Sequence, residues 1–76
     1  MNRIEVTFSY YSDESSANDS FHFSDEAAAK VKFTELRDII EHNFADVANP
    51  EIIDEPGFFG IRDSETGCFA RVTIEY

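Results

Sequence analysis

SDEAAAKVKFTELRDIIEHN, residues 24–43, decides the fold, because no other stretch of the chain reads as a long helix. Ala29, Phe33, Leu36, Ile40 and Phe44 recur at spacings of three and four, which draws one apolar stripe along a spiral of 3.6 residues per turn. Ser24 stands where an N-cap belongs. Asp25 and Glu26 then fall in the first turn, where carboxylates meet the positive end of the helix dipole. Glu26–Lys30 and Arg37–Glu41 are i,i+4 pairs of opposite charge on the flanks, each contributing roughly 0.3 kcal/mol. His42 and Asn43 close the helix, the first facing its last carbonyls and the second tolerant of a left-handed backbone. The outward side carries Glu35, Asp38 and Glu41, a row of carboxylates that can imitate a row of phosphates.

Strands flank this helix on both sides. Residues 3–11 alternate, with Ile4, Val6, Phe8 and Tyr10 on one face and Glu5, Thr7, Ser9 and Tyr11 on the other. Residues 12–20 are small, polar and rich in turn formers, so they read as a loop. Residues 21–23 form a short second strand with Phe21 and Phe23 inward and His22 outward. Residues 45–57 are irregular: Asn49-Pro50-Glu51 opens a single helical turn, and Glu55-Pro56-Gly57 is a turn. Residues 58–63 are a third strand. Ser64-Glu65-Thr66-Gly67 closes a hairpin with Gly67 at positive φ. Residues 68–76 are a fourth strand, with Ala70, Val72, Ile74 and Tyr76 facing inward and Phe69, Arg71, Thr73 and Glu75 outward. The order predicts an α+β fold, a ββαββ two-layer sandwich in which an antiparallel sheet has one helix packed on one face. Residues 1–76 make a single domain. The uncovered face presents Thr7, Ser9, Tyr11, Phe69, Arg71 and Thr73.

Charge is the second signal. Sixteen acidic residues stand against six basic ones, for a formal net charge of −10. Residues 12–26 carry Asp13, Glu14, Asp19, Asp25 and Glu26 with no cation, and residues 50–57 carry Glu51, Asp54 and Glu55 with none. Eight Phe, three Tyr and 42% apolar residues separate the chain from disordered acidic sequences, which lack aromatics. Such charge repels phosphates, so it argues against direct binding of nucleic acid or anionic membrane and favours a basic partner. It also serves solubility alone in many small domains.

The remaining chemistry is sparse. Cys68 is the single cysteine, which rules out an internal disulfide and suits a reducing compartment. Neither a secretory signal nor an apolar span is legible, so a cytoplasmic location is expected, and the sequon Asn18-Asp19-Ser20 is read as chance. Cys68 is far in sequence from His22 and His42, and no nucleophile–base–orienter set emerges. One Cys and two separated His do not make a zinc site. Asp63-Ser64-Glu65-Thr66-Gly67 begins like a calcium loop but places Gly early and lacks the terminal Glu. The three glycines are scattered, so no phosphate loop exists. No catalytic residue, cofactor or metal is expected.

Tracing the chain through four strands sends both acidic segments to one pole. Asp13, Glu14 and Asp19 then sit near Asp46, Glu51, Asp54 and Glu55, with Asp25 and Glu26 at the opposite end. In size, acidity and α+β layout the whole chain resembles phage-encoded inhibitors of bacterial defence, among them anti-CRISPR proteins. The likeness carries no motif, and no functional residue comes with it. It implies a binding-only inhibitor, in the DNA-mimic style of several of these proteins, acting in the host cytoplasm. The leading expectation is therefore a non-enzymatic protein that docks on a basic nucleic-acid-binding protein through Asp13, Glu14, Asp19, Glu51, Asp54 and Glu55, with Glu35, Asp38 and Glu41 as a second ridge. The alternative is a structural or interaction module that uses the open sheet face, anchored by Tyr11 and Phe69, as a homodimer or with another protein. A small-ligand or cation binder is a third option.

Overall fold

Alternating apolar residues need a surface to face, and the helical stripe supplies it. The computed structural model describes residues 3–76. Its elements are β1 (Ile4–Tyr11), β2 (Ser16–Phe23), α1 (Glu26–Asn43), β3 (Pro50–Glu55), β4 (Phe58–Asp63) and β5 (Phe69–Glu75). The strands form one antiparallel sheet in the order β2-β1-β5-β4-β3, and α1 lies across one face, mainly over β1 and β5. The fold is α+β with two layers, and its sheet has five strands instead of four.

Between the layers sits the core. Ile4 and Val6 of β1, Phe59 and Ile61 of β4, and Ala70 and Val72 of β5 meet Ala29, Leu36, Ile40 and Phe44 of the helix region. Phe21, Phe23 and Phe33 pack at its margin. Val6, Ile40 and Val72 are fully enclosed, and burying each such side chain contributes about 1.5–3 kcal/mol. Tyr76, expected to face inward, is exposed, and β5 ends one residue before it, at Glu75.

Several local expectations are corrected. Asp25, not Ser24, is the N-cap: its backbone is extended, and its carboxylate accepts from Ala27 N–H at 3.1 Å. The helix closes at Phe44 with φ −106°, and no non-glycine residue takes positive φ among the described residues, so Asn43 is not left-handed. The loop expected over residues 12–20 shrinks to residues 12–15, and residues 16–20 extend β2. Nothing buries these added residues; their backbone pairing with β1 is what holds them extended. Asn49-Pro50-Glu51 opens no helical turn, because Pro50 is the first residue of β3. Pro56-Gly57 joins β3 to β4, with Gly57 at φ +80°. Gly67, also at +80°, closes the β4–β5 hairpin as its sequence predicts.

The extra strand reverses everything after it. β3 carries the chain from the helix's end back across the molecule, so β4 returns in the opposite sense. The hairpin of residues 64–67 consequently lies at the same end as the β1–β2 turn, where Tyr11 pairs with Phe69. At the other end, Glu5 lies opposite Glu75.

Candidate functional site

Two turns define the charged end. In the first, Ser12 N–H donates to Ser15 C=O at 2.8 Å, and Asp13 and Glu14 stand fully outward. In the second, Asp63 builds the loop. Its carboxylate accepts from Glu65 N–H at 3.0 Å and from the Thr66 hydroxyl at 3.0 Å, and its carbonyl accepts from Gly67 N–H at 2.8 Å. The turns are separated by two strand spacings, roughly 10 Å, which is close to the screening length of about 8 Å at physiological salt. Asp13, Glu14, Asp63 and Glu65 thus repel one another, and neither turn holds a cation. A hollow of about 510 Å³ brings Asn43 and Phe44, at the end of the helix, beside Asp63 and Cys68, so Asp46 follows at this end too.

This is not the pole expected from sequence. Asp13, Glu14, Asp46 and Glu51 reach the turn end, but Asp54 and Glu55 run down β3 to the other end. β2 and β3 are opposite edges of the sheet, about 19 Å apart by strand spacing. Asp19 sits in mid-strand on β2, opposite Phe8. Sequence reading missed Asp63 and Glu65 because it missed β3. The signal was present: Ile52-Ile53 lies between Pro50 and the Pro56-Gly57 turn, two β-branched residues bounded by strand punctuation.

Many of the expected carboxylates are already paired. Asp54 accepts from Arg37 Nη2 at 2.8 Å, and Glu41 from Arg37 Nε at 3.1 Å. Glu35 lies 3.5 Å from Lys32, and Glu51 lies 3.7 Å from Arg62. Asp13, Glu14, Asp19, Asp38 and Glu55 have no ion-pair partner among the described residues. Arg37 also lies 4.4 Å from the centre of the Phe59 ring, so one side chain ties helix, β3 and β4 together. Its hydrogen bond to Glu41, with the nearby Asp54, holds the guanidinium above its usual range against the opposing effect of burial. Lys32 does similar work on the other flank, 4.6 Å above the Phe21 ring. The helix therefore leans on a cation over a phenyl ring at each side.

The uncovered face is distinct. Tyr11 and Phe69 stack with centroids 5.6 Å apart and planes 19° apart. Beside them a depression of about 320 Å³ is lined by Ile53, Phe58, Gly60, Phe69 and Arg71. Gly60 adds no side chain to its floor, and a Cβ there would make ordinary contact with the Phe58 ring at 3.4 Å and the Ala70 carbonyl at 3.5 Å. Ser9, expected to be outward, is covered where its hydroxyl donates to Asn18 at 2.7 Å. His22 and Glu5 pair at 3.0 Å across β1 and β2.

No group of three or more His, Cys, Asp or Glu residues among the described ones is placed to hold a metal ion. No helix of the described residues is long and apolar enough to cross a membrane. Compared with known proteins, the chain matches no family model, no characterised protein and no solved structure.

Proposed function

We propose that this chain is a non-enzymatic acidic binding protein that docks on the basic surface of a nucleic-acid-binding protein and excludes DNA or RNA. One observation carries the reading: two hairpin turns from different parts of the chain bring Asp13, Glu14, Asp63 and Glu65 to one end with no cation in either turn. Gathering like charge costs a small domain stability, and a partner lined with Lys and Arg returns that cost on binding. The helix ridge of Glu35, Asp38 and Glu41 extends the acidic surface, with Asp38 its unpaired member. A bacterial defence effector is the kind of cytoplasmic partner this charge suits, with association steered by the opposite fields.

The test is capture of a partner at low and high salt, followed by competition with duplex DNA. The expected partner is released both by salt and by DNA. It also binds more weakly to a variant carrying Asp13→Asn, Glu14→Gln and Glu65→Gln. A partner held equally at both salts removes the electrostatic reading.

A second reading is favoured by the stacked Tyr11–Phe69 pair: the open face is an interaction surface, self-associating or joined to another protein. Sedimentation distinguishes the two, because a dimer dispersed by Phe69→Asp supports this reading and a monomer unaffected by it does not.

A further inference from the structure

We infer that the outer edge of β3 accepts an extended, basic segment of the partner as a sixth strand; the inference rests on the reading of the chain as a binder of a basic protein. The backbone sets which groups are free. Ile74 N–H donates to Gly57 C=O at 3.0 Å, one step outside the Phe58–Thr73 pair. That makes Phe58–Thr73 a non-hydrogen-bonded pair, so Phe58 turns its own N–H and C=O toward β3. Opposite it, Glu55, and then Ile53 and Glu51, commit their backbone groups to β4. Ile52 and Asp54 are left with N–H and C=O pointing away from the sheet. Pro50 falls in the same outward set, where a missing N–H removes nothing from the ladder.

The side chains say what lies down beside that edge. Every residue of β3 is exposed, with Ile52 at 56% and Ile53 at 51%. Ile52 borders a groove of about 330 Å³ under the helix, lined also by Arg37, Glu41 and Phe59. Ile53 borders the depression on the open face. Glu51 and Glu55 flank Ile53 on one side of the sheet, and Asp54 flanks Ile52 on the other. An incoming strand thus meets an apolar centre bracketed by carboxylates on both faces. It needs apolar residues opposite Ile52 and Ile53 and a basic one opposite Glu55, which has no ion-pair partner among the described residues; Glu51 and Asp54, exposed and already beside Arg62 and Arg37, can share a further cation. Main-chain hydrogen bonds would supply affinity, and these alternating positions specificity.

A second copy of the chain fits this edge poorly. Antiparallel pairing centred on Ile53 sets Glu51 against Glu55, and pairing centred on Asp54 sets that carboxylate against itself. Pairing centred on Ile52 sets Pro50, which has no N–H to donate, opposite Asp54. Like charges facing each other across strands are destabilising, and charged side chains on an edge are a common guard against self-addition.

The experiment is amide hydrogen exchange on the whole chain with a blocked Lys-Arg-Val-Val-Lys peptide, the same peptide with alternate amides N-methylated, and its Glu-for-basic counterpart. Saturation with the basic peptide should slow exchange at Ile52 and Asp54 by about tenfold and leave Ile53, already bonded to β4, unchanged. The methylated and acidic peptides should give no protection. Ile52→Pro removes an outward N–H while sparing the β4 ladder, so it should abolish the protection with an unaltered far-UV spectrum. Protection that maps to the turns instead, or a captured partner that binds Ile52→Pro as tightly as the parent, overturns the edge and leaves the basic-partner reading standing. Absence of both peptide binding and any salt-released partner removes that reading, and the edge with it.

Discussion

β2 and β3 hold the same rank in the sheet, each the outermost strand on its side, yet they are secured and guarded differently. β2 is anchored at one half by Phe21 and Phe23, which pack against the core, with Lys32 over the Phe21 ring. Its other half, Ser16 to Ser20, is polar and offers a neighbour little to bury against. β3 has no buried residue at all. It is held by its ladder to β4, by the Pro56-Gly57 turn and by the Arg37–Asp54 contact, and it displays two isoleucines. An edge that is blunt needs no charge to protect it, whereas an apolar edge does. The carboxylates of β3 sit where that requirement is greatest.

Substitutions in the core should affect β2 and β3 together, and those in the turn and the edge should affect them differently. Ile40→Ala removes a fully enclosed side chain shared by both halves and should cost about 3 kcal/mol, loosening β2 and β3 together. Chemical denaturation checks the size, and hydrogen exchange checks that neither edge opens ahead of the other. Gly57→Ala forces a Cβ into a positive-φ turn, 3.4 Å from the Ile74 carbonyl, and should cost about 1–2 kcal/mol. Amides of β4 that face β3 should then exchange faster, while those between β1 and β2 hold.

Arg37→Ala deletes two exposed ion pairs and a cation–ring contact, for a loss of about 1 kcal/mol, or a fall in melting temperature of about 4–8 °C. That loss should again show at β3 and leave β2 untouched. Combined Glu51→Gln and Glu55→Gln should change stability by less than about 0.5 kcal/mol, since both are exposed. Light scattering should nevertheless show more self-association than the parent, because the guard is gone while Ile52 and Ile53 remain. The equivalent change on β2, Asp19→Asn, should leave self-association at the level of the parent.

Legibility in the sequence followed burial. β1, the helix and the β4–β5 hairpin announce themselves because each must place apolar residues on one side, and Gly67 marks a turn that only a residue without Cβ enters easily. The edge strands escape that logic. Ser16 to Ser20 needs no apolar alternation when both its faces are wet, so its composition imitates a loop. In β3 the adjacent isoleucines break the two-residue period, and Pro50 points to a helix start as readily as to a strand edge. The covered faces of β1 and β5 were thus readable residue by residue, Tyr76 excepted. The membership of the charged end was not, because one unread strand inverts the direction of the two after it. Asp63 and Glu65 moved in, and Asp54 and Glu55 moved out, with no change in what any of those residues is.

Ile4 and Glu75, the first residue of β1 and the last of β5, belong to neighbouring strands and leave the molecule side by side, at the end away from both hairpin turns. A tag, tether or surface joined at either terminus therefore holds the protein by its foot. Asp13, Glu14 and Glu65 stay presented at the far tip, so immobilisation leaves the acidic end unobstructed.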